Sequence, residues 1–538
     1  MKKILFLIIG TLLVLGLVLP GCDGNGNGGV DLVTTTFTFD KGGVNDEIVI
    51  GITGEYTHPT GSMAFLGASL AAAMINGAGG VIIKDSGNGD HAYNITLKFV
   101  ETGEATVDQT GAAGVTAMLA NKDLVDIFAG GFRTEAIDVY RDVVMKNDGT
   151  GKIFINCGAA TEELCHSVVT DYPNYRFFFK GTPYNEYFLG QSVARTVEAV
   201  AKQIRTDGGK AADYELKYTI IADNLAWAFE QVLVIEAELA GKNLTAAHAR
   251  YLVDATAGDS GAELTSVLGA IGAQNITQIL IPVLSSNAGV YYDNIRSALV
   301  PNAMSVGINV LAQLKSPWGG ALGTPPGVGQ PACANEVIVD TWAEGISVTD
   351  LTTPFLSSFM FMASGEYPLY TAATFDVLYA LKGCIEATAV YDLGTGEATA
   401  DADTMIQWLE NAANSQMSTT GKTLYYPKWD GTTTSGGQPA LTSAQALAIY
   451  PLATYNVADW EMPGHTTHDI CYGPGLLTGL GAQWQWDGSA AWKKVGVWPI
   501  DYGPSYDTQL TDQYGNWNFA YNGTVPLVIP ANVPAALP

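Results

Sequence analysis

The chain has 538 residues, with 53 Asp and Glu against 26 Lys and Arg, and a formal net charge of −27. The acidic residues are spread along the chain rather than packed into a tail, which argues against a nucleic-acid partner, and the length suffices for two or three domains with sizeable cores. The six cysteines show no C-x-x-C spacing, so a thiolate zinc site is not expected, and nothing in the chain calls for a cofactor.

Residues 1–22 begin with Lys2 and Lys3, continue as an apolar run from Ile4 to Leu19, and end Leu19-Pro20-Gly21-Cys22. A positive start, a hydrophobic stretch of this length and small residues before the cut describe a secretory signal. The Leu-x-Gly-Cys ending resembles the lipobox of bacterial lipoproteins. That resemblance implies removal of residues 1–21 and lipidation of Cys22, leaving the protein anchored to the cell membrane and facing the periplasm or cell exterior. An uncleaved membrane anchor is the other reading. Residues 22–45 are glycine-rich at their start and read as a flexible tether. The G-x-G-x-x-G match at Gly24, Gly26 and Gly29 lacks the strand and helix that would give it meaning.

From Glu47 a regular alternation begins. Residues 47–53 (EIVIGIT) form a buried strand, followed by a Gly- and Pro-containing turn to Gly61 and a small-residue helix over 63–76. A strand at 95–101, a helix at 107–120 and a strand at 124–129 lead into the stretch 127–161. There the apolar runs 127–129 and 153–155 read as doubly buried parallel strands, and Ala136, Ile137, Val139, Tyr140, Val143 and Val144 recur at helical spacing between them. Two parallel strands joined by a helix place both following turns, 130–134 (GGFRT) and 157–161 (CGAAT), at one edge of the sheet. That edge is where open α/β sheets bind ligands. Free N–H groups and threonine hydroxyls at these turns suit a carboxylate.

The rhythm restarts with strand 176–180, helix 184–205, strand 218–222, helix 226–239 and strand 249–253. Helix 262–271, strand 278–283, helix 288–299 and strand 304–309 complete it. Two β/α runs of this length predict an α/β protein of two doubly wound parallel-sheet lobes.

The order of these segments resembles the type I periplasmic solute-binding proteins of ABC importers, in the branched-chain amino-acid-binding branch. The stretch GITGEYTHPTGSMAFLGASLAAAMINGAGG is similar to that family's first strand, loop and helix. GGFRTEA and INCGAATEEL resemble its two ligand-gripping loops, and YTIIADNLAWAFEQ its second-lobe strand and helix with an aromatic at the cleft. YPLYTAATFDVLYALKGCIEA is similar to a late first-lobe helix, and HDICYGPGLLTGLGAQWQWDG to its final strand region. The resemblance implies the type I fold with C-terminal insertions and no enzymatic activity. It divides the chain into lobe 1 at 46–172 plus 342–414, lobe 2 at 173–341 plus 469–538, and an insertion at 415–468. It further implies a solute held between lobes joined by a hinge and a membrane permease as partner, with an amino acid or a related small carboxylate or amide as the solute. A ligand-sensing receptor of the same fold is the alternative.

Carried onto this chain, the resemblance implies that Arg133 and Thr134, with Ala159, Ala160 and Thr161, hold the ligand's carboxylate, with Phe132 among the ligand-binding residues. A carbonyl at Ala159 would help hold its ammonium, Trp227 would cover it from the second lobe, and Tyr56 and Thr60 would border it. Branched-chain binders commonly have an acidic residue at the end of the strand that here is 304–309, where this chain has Asn309. Either Glu135, Glu55 or Asp223 supplies the missing charge, or the solute is not an α-amino acid. Bland readings stand beside these: Arg133 as a salt-bridge partner of Glu135, Thr134 and Thr161 as plain helix caps, and Trp227 as the anchor of its own helix.

The second half is longer than the family's. Residues 319–330 are a Gly/Pro linker, and beyond Pro499 a tail carries Tyr502, Tyr506, Tyr514, Trp517, Phe519 and Tyr521, read as a strand-rich flap. His248 and Ser260 mimic protease signatures but lie in an α/β run, and His465-x-x-His468-Asp469 lacks the H-E-x-x-H pattern of a zinc helix. Five cysteines after Cys22 allow at most two disulfides, with the pairing open.

Overall fold

The structure, a computed structural model, describes residues 32–39, 47–85, 89–106, 109–254, 260–285, 287–327, 329–420, 426, 467–470, 479–498 and 525–537. The leader, Cys22, most of the 415–468 insertion, His465, Cys471 and the aromatic tail at 502–521 lie outside the described residues.

The first lobe grows from the strands of a mostly parallel sheet, most deeply buried at its centre, where helices cover both faces. They are β2 (Glu47–Gly54), β4 (His91–Glu101), β5 (Ile127–Gly130), β6 (Phe154–Asn156) and β7 (Phe178–Lys180), preceded by β1 (Thr36–Phe39), with a short β3 (Val81–Ile83) before β4. The sheet order is β3-β4-β2-β5-β6-β7, parallel throughout except for β3. The chain steps from β2 to β4 on one side and then to β5 on the other. This strand order puts the reversal beside the C-terminal ends of β2 and β5.

Helix α1 (Pro59–Gly77) follows β2, with Pro59 in its first turn and the His58 ring accepting from Thr60 N. Its small residues admit a close neighbour: a Cβ on Gly67 would lie 2.3 Å from the carbonyl oxygen of Ala372. Thr371 and Thr374 donate hydroxyl hydrogens to the carbonyls of Thr60 and Ala64, fixing the segment beside α1. Helices α2 (Ala112–Asn121), α3 (Thr134–Tyr140) and α4 (Glu163–Thr170) complete the first run.

The second lobe begins with α5 (Glu186–Asp207) and continues through β8 (Leu216–Asp223), α6 (Ala226–Leu239), β9 (Leu244–Ala246) and β10 (Tyr251–Val253). Then come α7 (Ser260–Gln274), β11 (Ile279–Leu284), α8 (Asn287–Leu299), β12 (Met304–Asn309) and β13 (Val337–Asp340). The chain returns to the first lobe as α9 (Thr352–Met362), α10 (Thr374–Thr388), β14 (Val390–Asp392), β15 (Glu397–Asp401) and α11 (Ala402–Glu410). It re-enters the second sheet as the hairpin β16 (Leu480–Trp486) and β17 (Trp492–Trp498), giving the order β10-β8-β11-β12-β13-β16-β17 with β9 alongside β8.

Three expectations change. Residues 36–39, placed in the tether, form β1, which pairs antiparallel with β15 and buries Phe37 and Phe39. The strand expected to open the second run, 176–180, is instead β7, the edge of the first sheet next to β6. The crossover therefore lies at 181–185 rather than 173. The second sheet is not purely parallel, because β16 and β17 add to it antiparallel to β13 and to each other. At the crossovers Lys180 and Asp469 pair as neighbouring chain segments, and their buried side chains form an ion pair at 2.7 Å. Cys157, Cys165, Cys333 and Cys384 are buried free thiols, so no disulfide links these four.

Candidate functional site

The two turns at the ends of β5 and β6 are built around glycines. Gly130 and Gly131 have φ of +106° and +83°, a region that side chains with a Cβ rarely adopt. Gly158 lies flat against the first turn, where a Cβ would sit 2.1 Å from the Gly131 carbonyl oxygen. The loops thus meet backbone to backbone.

A buried carboxylate holds each loop from within. Glu104 accepts from the backbone N–H of Phe132 at 3.1 Å and of Arg133 at 3.2 Å, and from the Tyr140 hydroxyl at 3.2 Å. Glu186, at the start of α5, accepts from the Thr161 hydroxyl at 2.9 Å and the Glu162 N–H at 2.8 Å. Lys180 Nζ donates to the Ala160 carbonyl at 2.8 Å.

With the inner donors engaged, the outer ones remain. Among the described residues no acceptor meets the N–H groups of Thr134, Glu135 or Ala160, or the Thr134 hydroxyl. Arg133 is 6% exposed; its Nε donates to the Glu104 carbonyl, and its terminal nitrogens bond no described residue. These groups open onto a cavity of about 470 Å³, its open mouth included.

The first lobe contributes 132–135, 158–160 and Tyr370 to the walls; the second contributes Leu225, Trp227, Ser285, Ile308 and Val310, with Tyr184 and Leu189 at the crossover side. The lining is mostly apolar and aromatic, with a few convergent polar groups, as small-molecule sites are. Two carboxylates stand nearby. Glu135 accepts from Ala226 N–H across the cleft at 3.4 Å, and its second oxygen is buried without a bond among the described residues. Asp223 accepts from the Ser285 N–H and hydroxyl through one oxygen, the other being buried and unbonded among the described residues. Burial pushes the Asp223 carboxyl up to about 6, opposed by those bonds and by the Arg133 charge.

Six of the expected residues, Phe132, Arg133, Thr134, Ala159, Ala160 and Trp227, come together in this lining. Four do not. Thr161 turns behind its loop to Glu186. Asn309 is fully buried and donates to Gly289 O and Asp293 at 3.1 Å each, pointing into the second lobe. Strand alternation explains this, since its neighbours Ile308 and Val310 take the cleft face. Thr60 is buried in the first turn of α1, and the 53% exposed Tyr56 packs edge-on against Phe65 and Phe99. The Ala159 carbonyl, expected to take an ammonium, already accepts from Asn156 Nδ2 at 3.0 Å and Thr182 at 2.9 Å. Of the substitute acids, Glu55 is bonded to Ala105 and Thr106 away from the lining. Sequence reasoning missed Tyr184, Tyr370 and Ser285; Tyr370 was within reach, since it lies in the segment likened to a late first-lobe helix.

Thr161→Val is accordingly expected to act through Glu186 rather than through a solute. Removing one donor from a buried carboxylate should lower unfolding free energy by about 1–3 kcal/mol, read by denaturant titration; an unchanged stability contradicts the bond.

Four buried carboxyls also set a pH dependence. Burial raises Glu104 to about 7, Glu186 to about 8, Asp223 to about 6 and Asp376 to about 7, in each case against the hydrogen bonds they accept. Their folded values exceed the ordinary carboxylate values, so the folded state holds more protons than the unfolded chain between those limits. Their contribution to stability is fully present near about pH 4 and is lost as pH rises through the folded values. The melting temperature is expected to be higher at about pH 5 than at about pH 8; the reverse order contradicts these assignments.

His468, in the His465-x-x-His468-Asp469 stretch, bonds Glu410 at 2.7 Å and the Phe178 carbonyl at 2.8 Å. Among the described residues no group of three or more His, Cys, Asp and Glu is placed to hold a metal, and no helix is long and apolar enough to cross a membrane.

No family model and no curated protein matches this sequence. Solved structures do. An ABC transporter substrate-binding protein from Sphaerobacter thermophilus matches at a TM-score of 0.54 with 11% identity, over 84% of this chain and 97% of that one. The branched-chain amino acid transporter substrate-binding protein LivJ from Streptococcus pneumoniae, in complex with isoleucine, matches at 0.51 with 14% identity, over 84% of this chain and all of that one. A solute-binding protein of an ABC transporter from R. palustris, in complex with 4-hydroxybenzoate, matches at 0.51 with 12% identity, over 84% and 96%. At these identities the likeness is one of fold.

Proposed function

We propose that this chain, which has the type I periplasmic binding protein fold, is the extracytoplasmic solute-binding component of an ABC importer, tethered through Cys22 and handing its solute to a membrane permease. The observation that carries the reading is a set of donors unengaged among the described residues, the terminal nitrogens of Arg133 with the amides of Thr134, Glu135 and Ala160, facing an apolar cavity between two lobes. Such a cavity suits a small carboxylate with an apolar or aromatic body. Isoleucine and 4-hydroxybenzoate, bound by two proteins of this fold, are solutes of that description.

The far wall refines the choice. With the Ala159 carbonyl engaged and Asn309 turned inward, an ammonium has, among the described residues, Glu135 and Asp223 to pair with. Trp227 Nε1 is buried there with no bond among the described residues, and it needs an acceptor. A hydroxyl can donate to a carboxylate and accept from an indole, whereas an ammonium can only donate. We therefore rank hydroxylated carboxylates above α-amino acids.

A thermal-shift screen of aliphatic amino acids, aromatic carboxylates and urea tests this. A solute at 100 times its Kd should add about 2.7 kcal/mol to stability. Stabilisation by carboxylates and not by urea is expected; no stabilisation by any of them, in folded protein, contradicts the reading.

A further inference from the structure

Glu104 and Glu186 occupy matching places. Each is buried, each lies directly behind one of the two loops whose outer donors face the cavity, and neither lines it. Glu104 bonds the two successive N–H groups of Phe132 and Arg133, immediately before the open amides of Thr134 and Glu135. Glu186 bonds the Thr161 hydroxyl and the Glu162 N–H, immediately after the open amide of Ala160, while its own N–H donates to the Ala160 carbonyl at 3.0 Å.

We propose that these two carboxylates are positioning residues for solute capture: each takes the inward donors of its loop, so that the adjacent donors in the chain are held outward for an anion that neither carboxylate touches. This rests on the solute-binding reading of the same cavity. An ionised carboxylate suits the task because it is acceptor-only, with two oxygens for several donors. An amide of equal size must aim its own NH₂ at one of them. The placement differs between lobes as well as loops. Glu104 belongs to the first lobe alone, whereas Glu186 opens α5, the first helix after the crossover. Through Glu186 the loop of Ala160 is tied to the second lobe, so the two lobes cannot move without moving a solute donor.

The groups around each carboxylate are few. Glu104 is faced by Tyr140 from α3, by Arg133 from its own loop, and by Tyr370 and Thr102. Glu186 is faced by Glu162 and Thr161 from its loop and by Lys180 from β7, itself paired with Asp469. A carboxylate acting only as a nearby charge would repel an incoming anion, so affinity would rise on acidification. A carboxylate that holds a loop loses its acceptor on protonation, so affinity falls.

The test uses full-length protein and the variants Glu104→Gln and Glu186→Gln. In solute-free protein, amide exchange should speed up by about ten-fold in residues 131–135 of the first and 159–163 of the second, with the other loop unchanged in each. Affinity for 4-hydroxybenzoate and isoleucine should fall by about ten-fold in both, and wild-type affinity should fall from about pH 8 to about pH 6, a slope each variant reduces. Tyr140→Phe and Thr161→Val, which keep both carboxylates and each take one donor from the carboxylate behind it, should show the same local changes to a smaller degree, and serve if a glutamine variant does not fold. Unchanged exchange in both loops overturns the proposal whatever the affinities; so does a pH dependence of affinity that neither glutamine variant changes. Loosened loops in a protein that binds neither probe support the positioning role and refute instead the solute-binding reading.

Discussion

Arg133→Ala is expected to lower affinity for any carboxylate solute by about 100-fold or more. The guanidinium is nearly buried, its Nε is fixed on the Glu104 carbonyl, and its two terminal nitrogens have no partner among the described residues. Removing one member of a buried, hydrogen-bonded ion pair costs about 3–5 kcal/mol, chiefly because the other charge is left unpaired, and each 1.4 kcal/mol is about ten-fold in Kd. Arg133→Lys should recover little, since an ammonium lacks the planar fork that meets both oxygens of a carboxylate. The solute-free protein loses the Nε bond and the charge near Asp223, and no other bond among the described residues, so its melting temperature should change far less than its affinity. Isothermal titration beside thermal denaturation separates the two, and an affinity within a few-fold of wild type removes Arg133 from the site.

Gly158→Ala should damage both loops together. The added Cβ would meet the Gly131 carbonyl oxygen at 2.1 Å and the Phe132 Cα at 2.8 Å, both backbone atoms that no rotamer change can clear. The loops must separate by about an ångström to reach ordinary van der Waals distance. Overpacking of this kind costs about 1–3 kcal/mol of stability. The larger effect is on the solute: donors on opposite loops no longer reach one carboxylate at normal hydrogen-bond length, and affinity should fall by more than about ten-fold. Wild-type affinity in Gly158→Ala would mean that the loops do not act jointly.

Much of this was legible in the residues. Strands covered on both faces must be apolar throughout, so β2, β5, β6, β8, β11 and β12 stand out, and the glycine turns after β5 and β6 mark the sheet edge that binds. The antiparallel end of the second sheet was not legible, because Val337 pairs with Gln483 across a long stretch of intervening chain and nothing local announces the partner. The role given to Asn309 failed for a different reason. A strand end offers two faces, and a resemblance in position does not say which one a side chain takes. Glu104 and Glu186 escaped notice because their importance comes from loops distant in sequence that fold over them. An acidic residue among 53 carries no mark of that kind.

The most direct test compares, by isothermal titration, the carboxylate that most stabilises the wild-type protein with its own methyl ester. The ester keeps the apolar body and removes the charge. The site described here predicts that the acid binds and the ester loses about 100-fold or more in affinity, with Arg133→Ala binding both equally weakly. Equal binding of acid and ester by the wild-type protein would contradict it.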